Sequence, residues 1–194
     1  MIEYVEEAQG VFSLPLLESD ICRGIVESAK KSKAWQVAEV GSQTESGEIL
    51  SLADVEFRSA SVLFTESAVF DCGEFETRVE QVIRPFIREI WGLDLADREQ
   101  TQIVRYGTGG HYEAHSDAAL DLEQRYFTVV CYLNEDFDGG QTSFPYLSNL
   151  VVWPKVGRMI VFPSRYVHRA EPVSNGEKYV AVTWLHGPVA AKWL

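Results

Sequence analysis

The spacing of apolar residues changes near residue 98. Before it, apolar positions recur every three or four residues, which predicts helices. One helix follows the apolar segment 14–17 and is capped by Ser19 or Asp20, and a longer one covers about residues 73–91. Pro85 predicts a kink or an early end in the longer helix. Residues 41–61 are polar and rich in Ser, Glu and Gly, which predicts a loop with little regular structure.

Beyond residue 98, apolar and polar residues alternate, as they do in half-buried strands. Turns containing Gly or Pro separate the alternating segments, which cover residues 101–106, 126–133, 151–153, 159–162 and 179–185. Short strands at this spacing are typical of a sandwich or barrel, and the helices must bury their apolar stripes on its outer face. The pattern therefore predicts a mainly β chain with flanking helices (α+β). We interpret residues 1–194 as one domain, with helical lead-in and lid elements over 1–98 and a β core over 99–188.

The charge of the chain narrows the range of partners. Its 194 residues include 29 acidic and 17 basic ones, a net charge of −12. Residues 1–100 hold 20 acidic and 9 basic residues, and residues 101–194 hold 9 and 8. Non-specific nucleic-acid binding and attachment to an anionic membrane both need clustered Lys and Arg, so neither is predicted. We interpret the acidic half as a solvated face, with steering of a basic or peptide substrate as the alternative.

Three further features bear on the cellular location. No apolar run approaches the roughly 18 residues that a membrane span needs. The acidic N-terminal segment lacks the basic and apolar regions of a signal peptide. The three cysteines (Cys22, Cys72 and Cys131) are widely spaced and form no close pair, which argues against a disulfide framework or a cysteine zinc site. We therefore predict reduced thiols and a cytoplasmic protein.

The densest chemical pattern lies between Tyr106 and Asp117, where a Gly-rich turn precedes His115 and Asp117. If His115 starts a strand, these two side chains project from the same face, because they are two residues apart. Together with a second histidine they would form a site of two imidazoles and one carboxylate, which leaves positions open for O₂ and suits non-haem Fe(II). The His-x-Asp pair alone is a weak signal, since it occurs by chance in many chains.

The second histidine can be sought among the remaining three. His111 lies in the Gly-rich turn and His186 follows the last strand, so we place both outside the site. His168 follows the buried segment 159–163 and is the remaining candidate. A hydrogen-bonded histidine at the rim of the barrel is the alternative interpretation of His168.

Lys178 opens the last alternating strand and shares one face with Val180, Val182 and Trp184. A lysine in that position is usually a solvated strand end. On this face, however, its charge points into an apolar lumen, where it needs an anionic partner. A dicarboxylate would supply that partner, with one carboxylate on Lys178 and the other on the metal. Tyr132 is placed to add a hydroxyl.

The combination of His115-x-Asp117, His168 and Lys178 ten positions later resembles the Fe(II)- and 2-oxoglutarate-dependent dioxygenases, and in particular their prolyl 4-hydroxylase branch. The resemblance covers about residues 100–186, with support from the segments 106–117, 131–134, 139–145, 154–157 and 168–173. Residues 11–40 fit the helical lead-in of that branch. The resemblance implies a double-stranded β-helix (a jelly-roll or cupin-like core) packed against N-terminal helices.

The resemblance also implies roles for eight residues. The iron ligands are His115, Asp117 and His168; Lys178 and Tyr132 bind the distal carboxylate of 2-oxoglutarate, with Thr142 as a further candidate; Tyr106 lies near its metal-bound end, and Trp184 is a wall residue close to the iron. The implied reaction is oxidative decarboxylation of 2-oxoglutarate with O₂ to succinate and CO₂, coupled to hydroxylation of a C–H bond, with ascorbate as reductant. Because Asp117 is not Gly or Ala, no position is freed for a halide, and halogenation is disfavoured.

The leading hypothesis is hydroxylation of a prolyl residue in a peptide or protein. The first alternative keeps the chemistry but takes a free amino acid or other small molecule, and residues 41–72 are interpreted as a lid over either substrate. An alternative of another class is a cupin-like metal-binding module without turnover. A nucleic-acid demethylase is disfavoured by the net charge. Tyr112, Cys131 and Trp153 are interpreted as core residues.

Overall fold

The computed structural model describes residues 3–44, 46–65, 72–120 and 122–187. The elements before residue 65 are β1 (Val5–Ala8), β2 (Val11–Pro15), α1 (Ser19–Lys31), β3 (Gln36–Val37), β4 (Val40–Gln43), β5 (Ile49–Leu52), β6 (Arg58–Ser59) and β7 (Ser61–Phe64). A second helical segment consists of α2 (Gly73–Arg78), a π-helical turn (Val79–Ile83) and α3 (Arg84–Trp91). The later strands are β8 (Gln102–Tyr106), β9 (His111–His115), β10 (Arg125–Tyr132), β11 (Asp138–Gly139), β12 (Thr142–Phe144), β13 (Leu150–Val152), β14 (Arg158–Pro163), β15 (His168–Ala170), β16 (Val173–Asn175) and β17 (Lys178–His186).

Two antiparallel sheets face each other across a lumen. Within the described residues, the large sheet has eight strands in the order β1-β2-β14-β10-β17-β8-β7-β3. The small sheet has five strands in the order β13-β12-β15-β9-β6. From β8 onward, the large-sheet strands β8, β10, β14 and β17 alternate along the chain with the small-sheet strands β9, β12 and β15, as in a jelly roll. The predicted fold class, a mainly β double-stranded β-helix with flanking helices, is confirmed.

The large sheet buries apolar residues on both faces. On one face, Ile25 of α1 and Phe75 of α2 pack in a cluster with Leu185 of β17. On the other face, Val180 of β17 packs in a cluster with Phe144 of the small sheet. The helices are therefore on the outside of the large sheet, as predicted, and the space between the sheets is left for the site.

The helix predicted over residues 73–91 is present over its whole length, although Pro85 lies inside it. Before the proline the helix widens into the π-helical turn, in which the N–H of Arg84 donates to the carbonyl of Val79, five residues back. Irregular turns of this kind let a helix continue past a residue that cannot keep the regular hydrogen-bond pattern. The irregularity at Pro85 is thus a π turn, and the helix does not end early.

Other local predictions were wrong. Residues 41–61 are not only a loop, because β4 and β5 pair as a hairpin and β6 pairs with β9. The hairpin is almost entirely exposed on both faces, so its sequence carries no apolar alternation. Trp153 is 64% exposed and is not a core residue. The residue before α1 that occupies the cap position is Glu18, one place earlier than predicted.

None of the helices in the described part of the chain is both long and apolar enough to cross a bilayer.

Candidate active site

Three side chains, those of His115, Asp117 and His168, meet in the lumen. One ligand atom from each lies within 4.8 Å of the others. Nε2 of His115 is 3.3 Å from Oδ1 of Asp117, and Nε2 of His168 is 3.5 Å from Oδ2. The two histidines are direct partners across β9 and β15, where the two strands pair. The structure therefore brings together the three residues that the sequence singled out.

The route by which Asp117 reaches the histidines differs from the one predicted. His115 is the last residue of β9 and not the first residue of a strand, so Asp117 lies in the turn that follows. Its backbone N–H donates to the carbonyl of Ser164 at 2.9 Å, and Thr128 Oγ1 donates to its Oδ2 at 2.7 Å. Contacts from β10 and from the residue that follows β14, rather than strand alternation, hold the carboxylate beside the imidazoles.

The protonation states of the cluster suit a metal ion. Nδ1 of His115 lies 2.7 Å from the carbonyl of Glu113, and Nδ1 of His168 lies 3.0 Å from the carbonyl of Tyr166. A carbonyl can only accept, so each Nδ1 donates, and in the neutral imidazole Nε2 then keeps a lone pair for a ligand. Burial lowers the pKa of His168 to about 4. Burial raises the pKa of Asp117, but the imidazoles of His168 and His115 outweigh this and hold it below its usual range. Metal binding needs these deprotonated forms.

Lys178 lines the same cavity as the three-residue cluster, a small space of about 50 Å³. Its side chain is buried, and Nζ donates to the carbonyl of Gly140 at 2.6 Å. The rings of Tyr106 and Tyr132 lie with their centres 5.1 and 5.5 Å from Nζ. Burial lowers the pKa of Lys178 to about 7. No carboxylate among the described residues forms an ion pair with it, so the cavity fits an anionic ligand at this end.

The remaining predicted residues lie around the same cavity. Tyr106, Thr142 and Trp184 line it directly. Tyr132 is fully buried beside it and donates its hydroxyl hydrogen to Thr142 Oγ1 at 2.7 Å. Tyr126, which alternation places on the face of Tyr132, packs instead in the helix-side cluster, because the pairing of β10 with β17 shifts register between Arg125 and Phe127.

Two residues that the sequence did not assign to the site also line the cavity. The ring of Tyr112 stacks on the imidazole of His115, with 3.5 Å between their centres. The guanidinium of Arg58 lies 4.5 Å from the centre of the Tyr112 ring, and its Nη1 donates to the carbonyl of Glu39 at 3.0 Å. Arg58 belongs to β6, inside the segment predicted to be a loop. No local pattern identifies it, because its position depends on pairing with Tyr112 much later in the chain.

The residues present fit a metal ion and a dicarboxylate together. Two imidazoles and one carboxylate form the ligand set of non-haem Fe(II) sites, which leave positions open for co-substrates. A buried ammonium that contacts a backbone carbonyl and no carboxylate suits an anion bound deeper in the same cavity.

Comparison with known proteins finds similarity over the part of the chain that contains these residues. Residues 101–186 match the sequence model of the 2OG-Fe(II) oxygenase superfamily. The chain is 32% identical over 131 residues to prolyl 4-hydroxylase subunit alpha-1 of Bos taurus, in a match that covers 58% of this chain and 24% of that protein. The chain thus spans about a quarter of the length of this curated relative.

Solved structures share the fold. A viral collagen prolyl hydroxylase from Paramecium Bursaria Chlorella virus-1, in complex with 2OG, superposes with a TM-score of 0.68 at 22% identity, covering 92% of this chain and 97% of that one. A prolyl hydroxylase from Trichoplax adhaerens, in complex with a peptide fragment of a hypoxia inducible factor, superposes with a TM-score of 0.73 at 17% identity, covering 94% and 86%. Residues 101–186 are thus similar to the 2OG-Fe(II) oxygenase superfamily, and most of the chain shares the fold of these solved structures. The sequence is similar to that of prolyl 4-hydroxylases, so the predicted resemblance is confirmed.

Proposed function

We propose that this chain is an Fe(II)- and 2-oxoglutarate-dependent dioxygenase that hydroxylates a prolyl residue in a peptide or protein. The observation that carries the proposal is one cavity that combines the three-residue cluster with the buried Lys178. Bound Fe(II), with 2-oxoglutarate and O₂, supplies the oxidising chemistry, in which 2-oxoglutarate becomes succinate and CO₂ as a C–H bond is hydroxylated. Ascorbate serves as the reductant.

The roles of the site residues form part of this proposal. His115, Asp117 and His168 hold the metal through the atoms that face one another. Lys178 binds the distal carboxylate of 2-oxoglutarate as an ammonium, and the Tyr132–Thr142 hydrogen bond positions a hydroxyl beside it. The buried walls formed by Tyr106 and Trp184 exclude water from the cavity, which strengthens each of these electrostatic contacts.

Two further proposals concern the extent of the catalytic domain and the location of the protein. We propose that residues 1–98 and 99–188 act as one catalytic domain, a proposal supported by the strands that the first region adds to both sheets. We also propose a cytoplasmic location, supported by Cys22 and Cys131, which are buried and form no disulfide.

The test of the function measures two products, succinate and a hydroxylated substrate. The protein is incubated with Fe(II), ascorbate and 2-oxoglutarate, together with either a library of proline-containing peptides or free amino acids. We expect succinate to form in proportion to a peptide product that gains one oxygen atom on proline, as measured by mass spectrometry. Asp117→Ala is the control, because it removes one metal ligand and should abolish both products.

Other outcomes separate the alternatives. Hydroxylation of free proline or another small molecule, with no peptide modified, would keep the chemistry and replace the substrate. Metal binding without succinate from any mixture would favour a binding module without turnover.

A further inference from the structure

A second opening, here named the outer groove, adjoins the metal cavity. The two spaces share Arg58, Tyr112, Asp117 and Trp184 in their walls. The outer groove has a volume of about 450 Å³, much more than the cavity itself, and extends to strand β3 and to the β4–β5 hairpin. A substrate residue that enters the cavity would therefore have its neighbours in the outer groove.

Gln102 lies on the lumen face of the large sheet, at the point where this face meets the outer groove. It is the first residue of β8, on the face of Val104 and Tyr106, which both line the metal cavity. Its direct partners are Val182 on β17 and Phe64 on β7. Gln102 itself lines the outer groove together with Trp184. Gln102 is therefore the polar member of a row on β8 whose other members, Val104 and Tyr106, line the cavity of the proposed iron site.

The charged side chains of the outer groove each contact another group of the protein, although Nε of Arg58 has no hydrogen-bond partner among the described residues. Both oxygens of Glu99 accept hydrogen bonds from Arg125, at 2.5 and 2.6 Å. Arg58 donates to the carbonyl of Glu39, whose carboxylate accepts from Ser51 at 2.6 Å. These contacts leave little free charge to select a charged substrate side chain.

The side-chain amide of Gln102 differs from these groups. It makes no hydrogen bond to any residue in the described parts of the chain, although the side chain is only partly exposed. A primary amide offers two donors and one acceptor oxygen, which matches the N–H and C=O groups of a peptide main chain. A polar group at this position costs free energy when substrate removes its water, unless the substrate replaces those hydrogen bonds.

We propose that Gln102 is a specificity-determining residue whose side-chain amide binds the main chain of a peptide substrate in the outer groove, next to the residue that enters the metal cavity. This inference rests on the proposed function and deepens it, because it selects peptides over free amino acids. This contact recognises peptide bonds and does not depend on the identity of the flanking side chains.

The experiment compares Gln102→Leu with the wild type on blocked substrates of increasing length. Leu keeps the approximate size of the side chain and removes both hydrogen-bonding functions. For a longer peptide we expect KM to rise about 10-fold, the loss of one or two neutral hydrogen bonds. For a single blocked prolyl residue, which keeps only the two amide groups beside the proline, we expect a smaller rise, and KM for 2-oxoglutarate should stay at the wild-type value. The control is Gln9→Leu, at the exposed turn of the β1–β2 hairpin.

A second measurement keeps the test independent of turnover. Binding of a labelled peptide is measured by fluorescence anisotropy with Mn(II) and 2-oxoglutarate in the absence of O₂. Peptides methylated at successive backbone nitrogens should include one whose methylation weakens binding to the wild type but not to Gln102→Leu. Equal affinities of the two proteins for every peptide would overturn the proposal for Gln102.

The same data distinguish a failure of the Gln102 contact from a failure of the proposed function. A wild type that binds peptides through Gln102 but never hydroxylates them contradicts the proposed function and supports the assigned contact. A wild type that hydroxylates only free amino acids and binds no peptide overturns both.

Discussion

Strand β17 runs between two environments, and both of its faces are buried from Lys178 to Leu185. On the helix side, Tyr179, Ala181 and Leu185 belong to the cluster that includes α1 and the second helical segment. On the lumen side, the metal cavity is lined by Lys178, Val180, Val182 and Trp184. The fraction of each side chain that is exposed therefore does not distinguish the two faces.

The polar groups do distinguish them. On the helix side the hydroxyl of Thr183 donates to the carbonyl of Glu99 at 2.7 Å, and that of Tyr179 donates to Glu177 at 3.0 Å. On the lumen side the ammonium of Lys178 has one carbonyl partner and no counter-ion among the described residues. Polar groups that are fully bonded within the protein stabilise the fold, whereas a buried charge without a counter-ion indicates a ligand. Substitutions on the two faces should thus affect different measurements.

The largest effect is expected from Asp117→Ala on the lumen side. It removes the ligand that lies between the two imidazoles, and we expect metal affinity to fall by more than about 100-fold, because even the partners of metal ligands cost 10- to 100-fold. Hydroxylation should fall to background. The measurement is the rise in thermal midpoint on adding Mn(II), which binding to the folded state produces in the wild type. A variant that keeps this rise would show that the metal binds elsewhere.

Lys178→Met should separate ligand binding from folding. Loss of the ammonium should weaken 2-oxoglutarate binding by about 100-fold, as expected when one partner of a buried charge pair is removed. Metal affinity should not change. The free energy of unfolding without ligand should stay the same or rise, because a buried charge has been replaced by an apolar side chain of similar length. Lys30→Met is the control on the helix side, where Nζ lies 5.3 Å from the ring centre of Tyr179. Equal loss of metal and 2-oxoglutarate binding would assign Lys178 a structural role.

This division of β17 could be predicted from the sequence, and the positions of Asp117 and Arg58 could not. Strand alternation is a local property, so a lysine in register with Val180, Val182 and Trp184 had to face the lumen. Asp117 is positioned by hydrogen bonds from Thr128 and to Ser164, which are distant in the chain.

The segment that contains Arg58 shows the same limit. Its strands are short and mostly exposed, so no apolar period marks them, and β6 forms only because β9 is beside it. Trp153 was misplaced for a related reason. It follows β13, the edge strand of the small sheet, which pairs with no second strand beyond β12 within the described residues, and its ring is 64% exposed.

Leu185→Ala should give the opposite result to Lys178→Met. Leu185 is fully buried on the helix side, and its truncation leaves a cavity in the cluster beneath α1. We expect the free energy of unfolding to fall by about 2–5 kcal/mol. The affinities of the remaining folded protein for metal and 2-oxoglutarate should stay at wild-type values. Chemical denaturation and ligand titration on the same samples check both parts. A weaker affinity for 2-oxoglutarate without loss of stability would contradict the assignment of the two faces.

The pKa of Lys178 predicts a smaller effect that depends on pH. Burial lowers this pKa to about 7 in the folded protein, against 10.5 for a solvated lysine. Between these values the unfolded chain holds the proton and the folded protein does not. The contribution of Lys178 therefore raises the free energy of unfolding as pH increases through this window, by up to about 1.4 kcal/mol per pH unit. Affinity for 2-oxoglutarate should fall over the same window, because binding needs the ammonium. Subtracting the pH profile of Lys178→Met isolates both trends, and identical profiles would contradict the lowered pKa.

The smallest effect is expected when variants of two tyrosines on opposite faces of the large sheet, Tyr132 and Tyr179, are compared. Tyr132→Phe removes the hydroxyl that donates to Thr142 beside the metal cavity, and Tyr179→Phe removes one that donates to Glu177 on the helix side. Each loses about one hydrogen bond, so each should lower the free energy of unfolding by roughly 1 kcal/mol. Only Tyr132→Phe should also weaken 2-oxoglutarate binding, by about 5-fold, because the Thr142 hydroxyl loses its partner next to the proposed carboxylate position. Isothermal titration with 2-oxoglutarate in the presence of Mn(II) measures the difference. If both variants bind 2-oxoglutarate as the wild type does, the Tyr132–Thr142 pair belongs to the core alone and the carboxylate is held by Lys178 without it.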